Sequence, residues 1–158
     1  MMGDEKKMEL AKQIYQKLCE TIEKREWDFR RDDEKLLVHF AVNNKDIPMR
    51  LFLIVDAKNQ LISVMSPLPF KMSESNRLEG AIAACAASFG MADGSFDYDI
   101  SDGTIAFRMT AYFRDSLIGE GLFLYLIFWS CEMVNKYNDL FFALDKGIMS
   151  IADFIEKV

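Results

Sequence analysis

The sequence is poor in the residues that build metal and nucleophilic sites. Its 158 residues include one histidine, His39, and three cysteines, Cys19, Cys85 and Cys131. Zinc sites take several cysteine and histidine ligands at close spacing, which these residues do not provide. An odd number of widely separated cysteines also argues against a disulfide framework and is typical of reduced thiols in a cytoplasmic protein. The glycines form no Gly-Lys-Ser/Thr phosphate-binding motif. We therefore expect no metal and no cofactor.

Basic charge is scarce as well. The chain has 19 lysines and arginines against 25 acids, a net charge of −6. Binding to nucleic acid requires a basic face, so this balance disfavours nucleic acid as a partner. The first ten residues carry Asp4, Glu5, Lys6 and Lys7 instead of the apolar stretch of a secretory signal.

No apolar run is long enough to span a membrane. The longest, residues 121–131, reads GLFLYLIFWSC. Extended from 117 to 134, it includes Glu120 and Glu132 and still falls short of the roughly 20 apolar residues that a span needs. We therefore expect a soluble, cytoplasmic protein that does not insert into membranes.

Hydrophobic periodicity predicts one α+β domain over residues 1–158, with the order α-β-β-β-β-α-β-β-α-α and helices packed on an antiparallel sheet. Strand 47–56 is apolar on both faces, which predicts a central position in that sheet. We expect Pro67 and Pro69 to end the fourth strand. In helix 73–89 the large apolar residues recur at helical spacing, and the alanines between them would let the helix approach a neighbour closely. The large residues are Leu78, Ile82, Cys85 and Phe89.

The dipeptide Asp102-Gly103 lies between two alternating runs and predicts a β-hairpin with a two-residue turn. That turn would pair Ser101 with Thr104. It would also place Asp97 across from Arg108, an opposite-charge cross-strand pair. The apolar pairs predicted by this register are Ile100 with Ile105, Tyr98 with Phe107 and Phe96 with Met109.

The element order and several short motifs resemble the YbjN family of bacterial proteins, which are labelled sensory transduction regulators and whose fold is like that of type III secretion chaperones. The residues that carry this resemblance are Gly94 and Phe96, Asp102-Gly103, Arg108, and Gly147 with Ser150. The resemblance implies a small cytosolic α+β protein that dimerises or binds segments of other proteins. It implies no catalytic residues.

The apolar helix at 121–131 leaves two interpretations open. It has no polar face, so either its own chain buries it on every side or a partner covers part of it. Strand 49–55 presents the same choice. If part of this surface is an interface, we expect Phe123, Ile127, Leu51 and Leu53 to form it, in a homodimer or against a segment of another protein.

We therefore predict a non-enzymatic, protein-binding module, either a chaperone-like protein or a regulatory adaptor acting as a homodimer. His39 lies in the middle of a predicted strand, where the sequence places no orienting partner beside it. Two alternatives remain. One is an enzyme with an unrecognised carboxylate site, and the other is a structural subunit of a larger assembly.

Overall fold

The computed structural model describes residues 3–43, 47–116 and 118–158. Its helices and strands follow the predicted order, with one additional 3-10 turn at Glu74–Asn76. In chain order the elements are α1 (Asp4–Lys24), β1 (Arg30–Asp32), β2 (Leu37–Asn43), β3 (Pro48–Asp56), β4 (Leu61–Lys71), α2 (Arg77–Phe89), β5 (Ser95–Asp99), β6 (Thr104–Tyr112), α3 (Glu120–Asp145) and α4 (Ile151–Lys157).

The strands form one six-stranded sheet in the order β1-β2-β3-β4-β6-β5, with antiparallel pairing throughout. Strand β3 is central, as its two apolar faces predicted. The prediction that Pro67 and Pro69 end β4 is wrong, because β4 continues to Lys71. Its pairing with β6 shifts between Pro67 and Lys71, and such an irregularity tolerates prolines, which donate no hydrogen bond.

Burial along the strands alternates, which shows that the sheet has one covered face and one open face. In β3, Met49, Leu51, Leu53 and Val55 are all buried, while the residues between them are exposed or half-buried. Helices α1, α2 and α3 contact the sheet and lie on its covered face. The opposite face, here called the outer face, faces solvent.

The β5–β6 hairpin forms, but its predicted register is wrong by two residues. Asp99, rather than Ser101, pairs with Thr104. The loop is longer than predicted because Gly103 donates its backbone N–H to the Asp99 carbonyl over 2.7 Å, with a φ of 80° that favours glycine. A shift of two residues keeps every side chain on its predicted face. The Asp97–Arg108 ion pair therefore still forms, with Nε–Oδ2 at 2.5 Å.

Helix α2 lies with its small residues toward the sheet. Its buried residues are Gly80, Ala83, Ala84 and Ala87. A Cβ atom at Gly80 would lie 2.6 Å from the hydroxyl oxygen of Tyr98 on β5, so the two elements meet too closely for a larger residue. The small side of α2 therefore packs against the sheet, and the side with the large residues is left outside.

Helix α3 runs without a break from Glu120 to Asp145 and lies across the sheet, where it contacts β3, β4 and β6. An aromatic cluster joins its second half to the hairpin and to α4. Phe96 of β5 packs edge-on against Tyr137 and Phe141, and Phe141 packs against Phe154 with the ring centroids 5.1 Å apart. Ser150 and Asp153 form the capping box that begins α4.

Candidate functional site

The four residues predicted to meet a partner lie inside the core of their own chain. Phe123 and Ile127 of α3 and Leu51 and Leu53 of β3 are each exposed by 1% or less. All four side chains belong to one hydrophobic core, so no partner reaches them in this conformation. The existence of an interface stays a prediction, and exposed residues elsewhere would have to form it.

The outward side of α2 carries a row of exposed apolar residues. Leu78, Ile82, Cys85 and Phe89, here called the α2 stripe, are all exposed, and the Phe89 side chain is 94% accessible. Their spacing places them along one side of the helix. Single exposed apolar residues are common on proteins, but a continuous row of them is typical of a contact surface.

Helix α4 extends this surface. It packs beside α2, and its residues Ile155 and Val158 are both exposed. Between the two helices lies an open groove of about 500 Å³. The groove is lined by Ile82, Cys85, Ala86, Phe89, Gly90, Ile155 and Val158, none of which has a charged side chain.

The charge distribution along α2 keeps the stripe apolar. The only charged residues of the helix are Arg77 and Glu79, both in its first turn. From Gly80 to Phe89 the helix presents only apolar and small side chains, apart from Ser88. The Ser88 hydroxyl donates to the Ala84 carbonyl and accepts from the Phe96 N–H, so its hydrogen-bonding capacity is used within the chain.

A buried carboxylate fixes the start of α2 to the end of α3. Asp145 is 7% exposed and accepts hydrogen bonds from the backbone N–H of Ser73 at 2.7 Å and from the Ser73 hydroxyl at 3.1 Å. The amide of Asn76 donates to the Asp145 backbone carbonyl at 2.8 Å. Burial alone would raise the pKa of Asp145, but the hydrogen bonds from Ser73 and Asn76 outweigh it and hold the pKa below its ordinary value.

The thiols are not arranged as nucleophiles. Burial raises the pKa of the Cys19 thiol and raises that of Cys131 to about 11, so both are protonated near neutral pH. Cys85 lies in the α2 stripe and is exposed. Within the described residues, no three histidine, cysteine, aspartate or glutamate side chains are grouped to hold a metal ion.

His39 lies on the outer face of the sheet. Its ring stacks on Phe52 of the neighbouring strand, with the centroids 5.7 Å apart and an angle of 19° between the rings. No carboxylate or nucleophile of the described chain is hydrogen-bonded to this imidazole. The position of His39 on β2 is the strand position that the sequence predicted.

Sequence reasoning found the residues of the α2 stripe but missed that they face outward. Periodicity marks which residues share a side of a helix, and it does not show which side packs. The small residues on the other side of the helix indicate which side packs. One glycine and three alanines there allow the close approach of α2 to β5.

Comparison with known proteins supports the fold. A chain in the solved HopA1–SchA chaperone–effector complex superposes with a TM-score of 0.56 at 14% sequence identity, covering 82% of this chain and 97% of that chain. No family model matches the sequence, and no curated protein sequence matches it. The chain therefore has an α+β fold like that of secretion chaperones, and at this identity the similarity shows the fold alone.

Among the described residues, no helix combines the length and the apolar character needed to cross a membrane. Helix α3 has 26 residues but carries charged residues along its length.

Proposed function

We propose that this protein is a non-enzymatic, cytoplasmic protein-binding module, a chaperone-like protein or regulatory adaptor of the YbjN type that acts as a homodimer. The observation that carries the proposal is the α2 stripe, a row of exposed apolar residues that continues onto the exposed Ile155 of the neighbouring helix α4. The fold similarity supports the same class of function by analogy, because the similar chain comes from a chaperone–effector complex.

A second copy of the chain suits the stripe better than a charged partner does. A two-fold interface brings the same patch of both subunits together, so the patch has to be complementary to itself. An uncharged row of apolar side chains meets that condition when two α2 helices pack antiparallel. The two-fold axis would then pass near Ile82 and Cys85, at the middle of the stripe.

The groove between α2 and α4 supports a second candidate occupant, a segment of another protein. This segment would compete with the second copy of the chain, because Ile82, Cys85 and Phe89 belong to both surfaces. Its apolar lining and its length along two helices suit an amphipathic segment rather than a polar ligand. Met and aromatic side chains on such a segment would replace water against Ile155 and Phe89.

The test is the molar mass in solution, measured by light scattering on a size-exclusion column. We expect the wild-type chain to elute at twice its 18.2 kDa mass at micromolar concentration. The variant Ile82→Asp/Phe89→Asp should elute as a folded monomer, because two antiparallel stripes would bury four new carboxylates without partners.

Tyr112→Asp is the matched control. Tyr112 is exposed at the end of β6, away from α2, so this variant should remain a dimer. A wild-type monomer at micromolar concentration would refute the proposed homodimer. A dimer that is lost in the control but kept in the α2 variant would place the interface on the sheet instead.

A further inference from the structure

A hollow of about 450 Å³ lies on the outer face of the sheet, at the edge formed by β1, β2 and β3. It is separate from the groove of α2 and α4 and shares no residue with it. Its lining residues are Asp28, Phe29, Arg30, His39, Phe40, Ala41, Arg50 and Phe52.

The strand register explains why a hollow forms here. His39 pairs with Arg30 on one side and with Phe52 on the other, so three large side chains form one row across the outer face. Two residues further along β2, Ala41 pairs with Arg50. Side chains two residues apart on a strand stand on the same face, so Ala41 lies between the aromatic row and the arginine. Its small methyl group leaves empty space there.

Two arginines at the hollow have no acidic partner in the described chain. Neither Arg30 nor Arg50 makes a side-chain hydrogen bond or an ion pair with another described residue. Of the other five arginines, Arg77 also has no carboxylate partner in the described chain, and the remaining four each pair with a carboxylate, namely Arg25, Arg31, Arg108 and Arg114. On a protein with a net charge of −6, Arg30 and Arg50 form a local region of positive charge that no ion pair with a described residue neutralises.

The two arginines are placed to reach a common ligand. They stand on β1 and β3, two strands apart and offset by two residues, which separates their Cα atoms by roughly 12 Å. Arginine side chains are long enough to converge across that gap, and each guanidinium binds a carboxylate through two parallel hydrogen bonds. Asp28 contributes one negative charge to the rim, which leaves the hollow net positive.

We propose that this hollow binds an acidic segment of another protein, with its carboxylates on Arg30 and Arg50 and a neighbouring apolar side chain against Phe52. The inference rests on the proposed protein-binding function and adds the chemistry of one partner. An extended segment fits better than a small molecule, because the hollow opens onto a strip of exposed apolar residues, Ile54 and Met65, along the same face.

The probe is a fluorescein-labelled peptide in which glutamates alternate with phenylalanine and leucine, titrated with the protein and followed by fluorescence anisotropy. We expect saturable binding to the wild-type chain. The variant Arg30→Gln/Arg50→Gln should bind at least about tenfold more weakly, since it removes two charge-assisted contacts. A peptide with glutamine in place of glutamate should lose affinity to a similar extent.

The matched control is Lys12→Gln/Lys17→Gln, which removes the same charge from exposed positions of α1. This variant should keep wild-type affinity. Equal loss in both variants would show general charge attraction and would overturn the proposal. Failure of the wild-type chain to bind the peptide, or unchanged affinity for the glutamine peptide, would overturn it too.

Two further readouts keep the result interpretable. In the wild-type protein, amide chemical shifts of His39, Ala41 and Phe52 should move on addition of the peptide, while shifts confined to α2 would overturn the proposal without any variant.

Light scattering on Arg30→Gln/Arg50→Gln should show an unchanged mass, and loss of a dimer there would assign the hollow to a second copy of the chain. Peptide binding by a monomeric wild-type chain would refute the homodimer and leave this inference standing.

Discussion

Helix α3 packs large apolar residues into the core. Helix α2 packs small residues into the core and leaves its large apolar residues in solvent. Helix α3 is apolar almost all the way round over residues 121–131. Its chain buries Phe123 and Ile127 almost completely, whereas Tyr125 and Phe128 on the other side stay exposed. Helix α2 has an ordinary amphipathic pattern, yet its large residues face solvent and its small ones face the sheet. The comparison shows that hydrophobicity alone does not decide which side of a helix packs, because the space available above the sheet also decides it.

The largest effect should come from the buried side of α3. We expect Ile127→Ala to lower the free energy of unfolding by about 2–5 kcal/mol, because it leaves a cavity between the helix and the sheet. Phe128→Ala, one residue on, should cost only about 1 kcal/mol through its edge contact with Trp27. Urea unfolding followed by circular dichroism measures the loss of unfolding free energy in both variants. Equal losses would contradict the difference between the buried and the exposed side of α3.

On α2 we expect that adding side-chain volume to the buried side destabilises the fold, and that removing volume from the outer side does not. Enlarging its buried side with Ala83→Leu should destabilise the fold by about 1–3 kcal/mol, because the helix cannot move away from the sheet without strain. Removing apolar volume from its outer side with Leu78→Ala should change the stability of the monomer by less than about 0.5 kcal/mol. The same urea titration, run on variants held monomeric by Ile82→Asp, separates folding from association. A larger loss in Leu78→Ala than in Ala83→Leu would contradict the assigned orientation of α2.

The carboxylate that joins the two helices should make stability depend on pH. We expect Asp145→Asn to cost about 1–2 kcal/mol at neutral pH, since the buried hydrogen bonds from Ser73 weaken. The pKa of Asp145 is lower in the folded chain than in the unfolded one. Its contribution is therefore fully present above the unfolded value of about 3.9 and is lost as the pH falls through the folded pKa.

The measurement is the difference in unfolding free energy between wild type and Asp145→Asn across this pH range. The difference should shrink below about pH 4. A constant difference down to pH 2 would show that the charge of Asp145 does not contribute, and Asp153→Asn at the start of α4 serves as an exposed comparison.

The smallest expected effect is a difference in reactivity between two cysteine thiols, and it involves no change in the stability of the fold. In dilute solution at pH 8, Cys85 on the outer side of α2 should react first with a thiol reagent such as Ellman's reagent. Cys131 of α3 should react much more slowly, because burial raises its pKa to about 11 and leaves little thiolate. Cys85→Ser should remove the fast phase. A fast phase that persists in that variant would contradict the outward orientation of the stripe.

Sequence patterns were sufficient for the order of the elements and the central place of β3, because these depend on local periodicity. They were insufficient where two elements compete for the same space. The tight contact of Gly80 with Tyr98 decides the orientation of α2, and no local pattern contains that contact. The longer loop at Gly103 shifted the hairpin register for a similar reason, because Lys71 of β4 and Met72 after it pack against that loop.

The candidate surfaces were predictable to a smaller extent. The residues of the α2 stripe are visible in the sequence, but their exposure follows only from the packing. The hollow beside Ala41 was not predictable, since it depends on the pairing of β1, β2 and β3 that brings Arg30 and Arg50 to one face. Phe123 and Leu51 were predicted as interface residues from their apolar surroundings in the sequence, which do not show that both lie in the core of their own chain.

Crosslinking through Cys85 tests most directly that two α2 stripes meet. In the variant Cys19→Ser/Cys131→Ser, Cys85 is the one remaining cysteine of the chain. A short bismaleimide should join two chains in high yield, because an antiparallel pair of α2 helices places both thiols near the two-fold axis, and Ile82→Asp should abolish the product. A dimer that is seen by light scattering but gives no crosslink at Cys85 would contradict the account.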